Sequence, residues 1–152
     1  MRERFSREEW TDLCMAPFAA GMYVATASGG RVQYTQEMTG LVRAVRRSLA
    51  AGGPLARAIG AEFGGRFGNQ LGTGEAALLP HERGEMLALL RRAGAALARA
   101  GGAEAPAYRR WVYDLAAHVA STSSDGGMFG LGGRAVTAAE QAALGDVAKA
   151  LG

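Results

Sequence analysis

Residues 106–122 read PAYRRWVYDLAAHVAST and show the clearest helical pattern in the chain. Pro106 suits the first turn of a helix, because a residue there has no intrahelical partner for an N–H group. The residues that share one side of this predicted helix are Tyr108, Trp111, Val112, Leu115, Val119 and Thr122. Their spacing of three and four positions is typical of an amphipathic helix with one buried face. The segment therefore predicts a helix that packs against other helices.

The start of the chain carries a helix-capping signature. Ser6 and Glu9 have the spacing of a capping box, and Phe5 and Trp10 have that of a hydrophobic staple. Together they predict that the first helix begins directly after Ser6.

Residues 13–27, LCMAPFAAGMYVATA, continue this helix and are almost entirely apolar. Small residues among them favour close approach by other helices, so we expect a central buried helix in which Pro17 bends or restarts the chain. The stretch is shorter than the ~20 apolar residues that a membrane span needs. Although Ala25–Ala27 resembles a signal-peptidase site, the preceding segment is acidic, which suits a signal peptide poorly. We expect a cytoplasmic protein without a membrane span.

The remaining helices are marked by caps, prolines and glycines. The predicted segments are a second helix from Thr35, a third from Pro54 to about Phe63, a fourth from about His81 to Ala100, and a last one from a Thr137–Glu140 capping box to Leu151. No stretch alternates in the manner of a strand, and no internal repeat is present. The sequence predicts an all-α fold: a compact single-domain bundle of five to seven helices over residues 1–152, with glycine-rich connections.

Composition sets broad limits on function. The chain has 152 residues, of which 49% are hydrophobic and 20% charged, as in soluble globular domains. Cys14 is the single cysteine, which excludes an intramolecular disulfide. The net charge is +3, and Lys149 is the only lysine. A basic charge of this size does not by itself indicate a nucleic-acid partner.

Residues 123–136 form the most unusual connection, a glycine-rich loop before the last helix. They include five glycines together with Met128, Phe129 and Leu131, which are too apolar for an ordinary solvent loop. Gly133 and Arg134 replace the Lys-Ser/Thr of a phosphate-binding P-loop, and no strand precedes them. Two alternatives remain. The loop is either a structural joint or a binding surface formed by these three apolar residues and Arg134.

The polar residues bear on three kinds of site: a catalytic site, a metal site and a nucleic-acid surface. Asp114, His118 and Ser121 lie at helical spacing and are the candidate catalytic residues, but one straight helix rarely provides a converging catalytic geometry. With two histidines and one cysteine, the chain offers no metal-ligand cluster, and we expect no metal and no cofactor. The arginines that would form a nucleic-acid surface, if their helices are adjacent, are Arg43, Arg46, Arg47, Arg91, Arg92, Arg109 and Arg110.

The end of the chain resembles a group of small bacterial helical proteins with no established activity. Their pattern is a Gly-Gly-aromatic/Leu-Gly-x-Gly-Gly loop followed by Val-Ser/Thr-x-x-Glu, and residues 126–133 and 136–140 match it. Residues 108–111, YRRW, belong to the same likeness. The chain departs from the pattern at Asp125, where the group has Glu, and at Met128-Phe129, where the aromatic residue comes second. The resemblance implies an all-α bacterial protein and assigns no catalytic residue.

The function that these features favour is non-enzymatic. We expect an interaction or accessory protein that self-associates or binds a protein partner through residues 123–137 and the flanking helices. One alternative is binding of nucleic acid or another anionic polymer by the arginine-rich helix faces. The other is a small enzyme or ligand-binding domain around Asp114 and His118.

Overall fold

The structure is a computed structural model, and it describes residues 1–27, 34–62, 82–123 and 136–152. Within these ranges there are six α-helices and no strand. The helices are α1 (Arg7–Ala25), α2 (Tyr34–Ser48), α3 (Gly53–Glu62), α4 (Arg83–Ala100), α5 (Ala105–Ser123) and α6 (Ala138–Leu151), and a 3-10 turn over Arg2–Arg4 precedes α1. The predicted all-α fold of five to seven helices is confirmed.

The central element is α1, which packs against α2, α4, α5 and α6. Every residue from Leu13 to Val24 is buried. Small side chains allow the neighbouring helices to approach: a Cβ atom on Gly21 would lie 2.7 Å from a methyl carbon of Leu41 in α2. The expectation of a central buried helix is confirmed.

The start of α1 follows its sequence signature. Ser6 and Glu9 form both halves of a capping box, and the rings of Phe5 and Trp10 lie 6.0 Å apart. Of the two alternatives at Pro17, a bend or a restart, the restart does not occur, because α1 runs through this residue without interruption. Proline lacks an N–H group, so the carbonyl of Leu13 loses its intrahelical donor. Tyr108 of α5 replaces that donor, since its hydroxyl lies 2.5 Å from the Leu13 carbonyl oxygen.

Helices α4 and α6 make another close contact. A Cβ atom on Gly94 of α4 would lie 2.6 Å from the carbonyl oxygen of Ala150. The absence of a side chain at Gly94 therefore brings the end of α6 directly onto α4.

The apolar side of α5 is buried as its spacing predicts, since Tyr108, Trp111 and Leu115 are all less than 5% exposed. Thr122 is the exception: it is exposed and donates back to the carbonyl of His118.

The capping box expected at the start of α6 is half formed. The Thr137 hydroxyl accepts from the Glu140 N–H and donates to the Glu140 carboxylate, so this carboxylate is held by the hydroxyl of Thr137 instead of by its backbone N–H.

Candidate functional site

A cleft of about 630 Å³ lies between α2 and α5. Its small and apolar lining residues are Gly40, Ala44, Ala51, Ala107, Trp111 and Leu115. Its polar lining residues are Arg43, Arg47, Ser48, Arg110, Asp114 and His118. This volume is within the range of pockets that hold small organic ligands.

The cleft exists because α2 presents small residues toward α5. Gly40 and Ala44 lie one helical turn apart, and a Cβ atom on Gly40 would have nothing within 4 Å. Ser48, one turn further, is also small and contacts Trp111. A stripe of small residues leaves space between two helices that larger side chains would fill.

Two contacts join α5 to the end of α2 and to the start of α3. The Trp111 Nε1 donates to the Ser48 hydroxyl at 2.8 Å, and a Cβ atom on Gly53 would lie 3.3 Å from the Cβ of Ala107. Gly53 begins α3, so the second contact lies beyond the turn that ends α2. Arg47 and Arg110 directly precede Ser48 and Trp111 in the sequence and both line the cleft, so they lie beside the Ser48–Trp111 bond, and Gly40 lies about two helical turns along α2 from it.

The floor of the cleft is apolar and firmly held. Trp111 is 2% exposed and Leu115 is 4% exposed. The Trp111 ring packs edge-on against Tyr108 at 5.7 Å, and Tyr108 is itself bonded to α1. Because Trp111 is held by both Ser48 and Tyr108, the floor presents a defined surface instead of a mobile side chain.

The rim of the cleft is positively charged. Arg43 and Arg47 are exposed, and neither makes an ion pair with a side chain that the structure describes. The Nε atom of Arg110 lies 3.7 Å from the Oδ2 atom of Asp114, one turn along α5, and both side chains are exposed. The lining therefore includes three guanidinium groups and one carboxylate, and the two arginines without an ion pair in this part of the chain can offer their N–H donors to a ligand.

The other arginines named from the sequence lie elsewhere. Arg46 is exposed on α2 but does not line the cleft, and Arg91 is exposed on α4. Arg92 binds Asp12 through two hydrogen bonds of 2.8 and 2.9 Å, which raise the pKa of its guanidinium. Arg109 donates to the Leu151 carbonyl at 2.9 Å. The structure thus brings together Arg43, Arg47 and Arg110, and it engages Arg92 and Arg109 in contacts within the bundle.

The candidate catalytic residues are close in sequence but are not joined. Asp114 pairs with Arg110, and the hydroxyl of Ser121 donates to the backbone carbonyl of His118 at 2.8 Å. In the described part of the chain, no hydrogen bond connects the His118 ring to Asp114 or to Ser121. Asp114 and His118 share the rim of the cleft.

A second groove, between the start of α1 and α4, has a larger volume of about 1000 Å³ but is occupied by ion pairs. Arg99 binds the Glu9 carboxylate there, and Arg92 binds Asp12. The hydrogen bond from Arg99, followed by the one from the Ser6 backbone, lowers the pKa of Glu9 to about 2. Because its charges are paired internally, this groove is less suited to a charged ligand than the first.

Sequence reasoning missed the pairing of α2 with α5 and the role of Ser48. The signal available was the run of small residues Gly40, Ala44 and Ser48 on one side of the second helix. The predicted loop residues Met128, Phe129, Leu131 and Arg134 lie outside the described residues.

Among the side chains that the structure describes, in residues 1–27, 38–62, 82–122 and 136–152, no group of three or more His, Cys, Asp and Glu could hold a metal ion. No helix in the described part of the chain is long and apolar enough to cross a membrane. No protein-family model, no curated protein and no solved structure matches the chain.

Proposed function

We propose that this protein is a non-enzymatic binding protein that holds a negatively charged molecule in the cleft between α2 and α5. The proposal joins two of the functions considered from the sequence: anion binding by arginine-rich helix faces and ligand binding beside Asp114 and His118. The observation that carries it is the position of Arg43 and Arg47. Both guanidinium groups border an apolar floor, and neither has an ion-pair partner among the described residues.

The chemistry of the guanidinium group supports an anionic ligand. Its planar set of N–H donors matches the two oxygens of a carboxylate, phosphate or sulfonate. An apolar floor lowers the local dielectric constant, so the attraction between opposite charges is stronger there than in open water. Arg47 and Arg110, on opposite walls beside the Ser48–Trp111 bond, are the two groups best placed to share one anion.

Asp114 and His118 have a non-catalytic role in this proposal. Asp114 orients Arg110, its ion-pair partner one turn away. His118 lines the far end of the cleft as a polar contact.

The proposal also includes the origin of the protein, its location in the cell and a protein partner. The resemblance of the chain end to small bacterial helical proteins supports a bacterial origin. A cytoplasmic location is supported by the single cysteine, Cys14, which is buried in the core. Association with a protein partner through residues 123–137 stays a prediction, and α5 leads directly from the cleft toward that segment.

The experiment is a fluorescence titration with anilinonaphthalene sulfonate, an aromatic anion. We expect Arg47→Glu to weaken binding about tenfold or more, because a charge-assisted hydrogen bond contributes roughly 1.5–3 kcal/mol. Arg46→Glu is the matched control, since it makes the same charge change on the same helix outside the cleft.

Equal losses in the two variants would mean that only net charge matters, and the proposal would fail. A labelled single-stranded oligonucleotide is titrated in parallel. Salt-sensitive binding of that probe, without any binding of the aromatic anion, would assign the arginines to nucleic acid instead.

A further inference from the structure

We infer that the ligand of the α2–α5 cleft is a free amphiphile with a single acid group and an elongated apolar body, such as a medium-chain carboxylic acid. This inference rests on the proposed function and names the chemical class of the ligand. It follows from the shape of the floor, the distribution of charge along the rim, and the exposed surface around it.

The apolar floor is longer than a small inorganic anion requires. The cleft extends along α2 from Gly40 to Ser48, about 12 Å at the rise of an α-helix, and Ala51 in the following turn also lines it. Ala44, Leu115 and Trp111 line it between these ends. A phosphate or sulfate ion would keep its water and leave this surface unused, whereas an alkyl chain or a flat ring system would cover it.

The charges of the rim divide the cleft into a head end and a tail end. Arg47 and Arg110 lie on opposite walls beside the Ser48–Trp111 bond, and an acid group between them would receive donors from both walls. From there the apolar body would run over Ala44 and Leu115 toward Gly40, where a Cβ atom would meet nothing within 4 Å. Arg43 on α2 and Asp114 on α5, which carry opposite charges, border this path, so the tail side has no excess positive charge of the kind that Arg47 and Arg110 give the head end.

Asp114 limits the ligand to a single charged group. Its carboxylate lies on the rim one turn beyond Arg110, at the side of the predicted tail. A polyanion such as a nucleic-acid backbone would have to place a further negative charge next to this carboxylate, which is unfavourable. A ligand with one acid group at the Arg47 end avoids that repulsion.

The surface of the described bundle favours a free molecule over a membrane. Tyr113, at 37% exposed, is the only exposed large hydrophobic side chain among residues 1–27, 38–62, 82–122 and 136–152, whose side chains the structure describes. Insertion into a bilayer needs a broad apolar face, whereas the apolar surface of this cleft is recessed between two helices.

The test is a calorimetric titration with acetate, hexanoate and decanoate, with decylamine as the cationic counterpart of decanoate. We expect affinity to rise roughly threefold or more for each added pair of methylene groups until the cleft is filled. Decylamine should bind at least tenfold more weakly than decanoate, because its ammonium group would face the arginines.

Two variants locate the head and the tail. Arg47→Gln should weaken decanoate binding about tenfold, while Arg46→Gln leaves it unchanged. Gly40→Leu fills the open end of the cleft and replaces glycine by a better helix former, so it is expected to fold. It should weaken decanoate about tenfold and leave hexanoate within twofold.

The possible outcomes separate this inference from the proposed function. If anions bind in an Arg47-dependent manner but chain length has no effect, the cleft binds anions and the amphiphile inference is wrong. If no anion binds, both proposals fail. If decanoate does not bind but vesicles of phosphatidylcholine and phosphatidylglycerol do, the ligand is a membrane surface, and the inference is overturned.

Discussion

The hydroxyl of Tyr108 donates a 2.5 Å hydrogen bond to the carbonyl oxygen of Leu13, the atom that Pro17 leaves without an intrahelical donor. Proline in the interior of a helix usually interrupts it, because it removes one hydrogen bond and crowds the preceding turn. Here a side chain from another helix supplies the missing donor. Burial, together with the nearby Cys14 and Asp12, raises the pKa of Tyr108 well above its ordinary value, so the hydroxyl keeps its proton.

Tyr108→Phe is the first prediction. It removes the donor and leaves a buried carbonyl without a partner, which should lower the free energy of unfolding by about 1–3 kcal/mol. Urea denaturation measures the loss. Tyr113→Phe on the same helix is the control, because Tyr113 is exposed and should tolerate the change. A loss below about 0.5 kcal/mol for Tyr108→Phe would show that the bond is dispensable.

Gly94→Ala tests the contact between α4 and α6. The new methyl group would lie 2.6 Å from the Ala150 carbonyl oxygen and 2.8 Å from that of Leu151, both backbone atoms. We expect a net loss of about 1–2 kcal/mol, since overpacking exceeds the gain in helix propensity.

Gly145→Ala is the matched control for Gly94→Ala, because it lies inside α6 and its new methyl group would have nothing within 4 Å. It should gain up to about 1 kcal/mol of stability from helix propensity alone. Equal effects in the two variants would contradict the close approach of α6 to α4 at Gly94.

The Glu9–Arg99 pair predicts a pH dependence of stability. Arg99, followed by the Ser6 backbone N–H, lowers the pKa of the Glu9 carboxyl from 4.5 to about 2. A carboxyl group with a lowered pKa in the folded state contributes stability above its unfolded pKa, and this contribution is lost as the pH falls through the folded value. The pair should therefore weaken between about pH 4.5 and pH 2.

Glu9→Gln removes this titration and retains an oxygen that can accept from the Ser6 N–H. Thermal unfolding midpoints measured across that pH range should fall less steeply in the variant than in the native protein. Glu8→Gln is the control, since Glu8 is exposed in the same turn. Parallel curves for the native protein and Glu9→Gln would argue against a stabilising pair.

Ser48→Ala tests how firmly the floor of the cleft is held. The change removes the acceptor of the Trp111 Nε1 hydrogen bond, measured at 2.8 Å, and leaves a buried N–H unpaired. We expect about 1–2 kcal/mol of destabilisation and weaker binding of anilinonaphthalene sulfonate. If stability falls while affinity stays the same, the position of Trp111 does not matter for the ligand.

Much of the local structure could be predicted because its causes lie within a few residues of one another. The capping box at Ser6 and the buried side of α5 depend on spacing alone, and both are present. The hydrogen bond that supports α1 at Pro17 could not be predicted, because its donor, Tyr108, is 95 positions from Leu13.

The arginines of the cleft also could be predicted only in part from the sequence. Arg43, Arg47 and Arg110 were all candidates from the sequence, but so were Arg91, Arg92 and Arg109, and nothing in their spacing separates the two groups.

By itself, the sequence determined the helical character of this chain, most helix boundaries to within a few residues, and which faces are apolar, because these follow from short-range spacing and capping. Only the tertiary structure decided that α2 lies beside α5, which arginines are engaged within the bundle and which border the cleft, and where space is left between the helices. These properties depend on which faces pack together. That choice is made by contacts between residues far apart in the chain, and no local pattern encodes it.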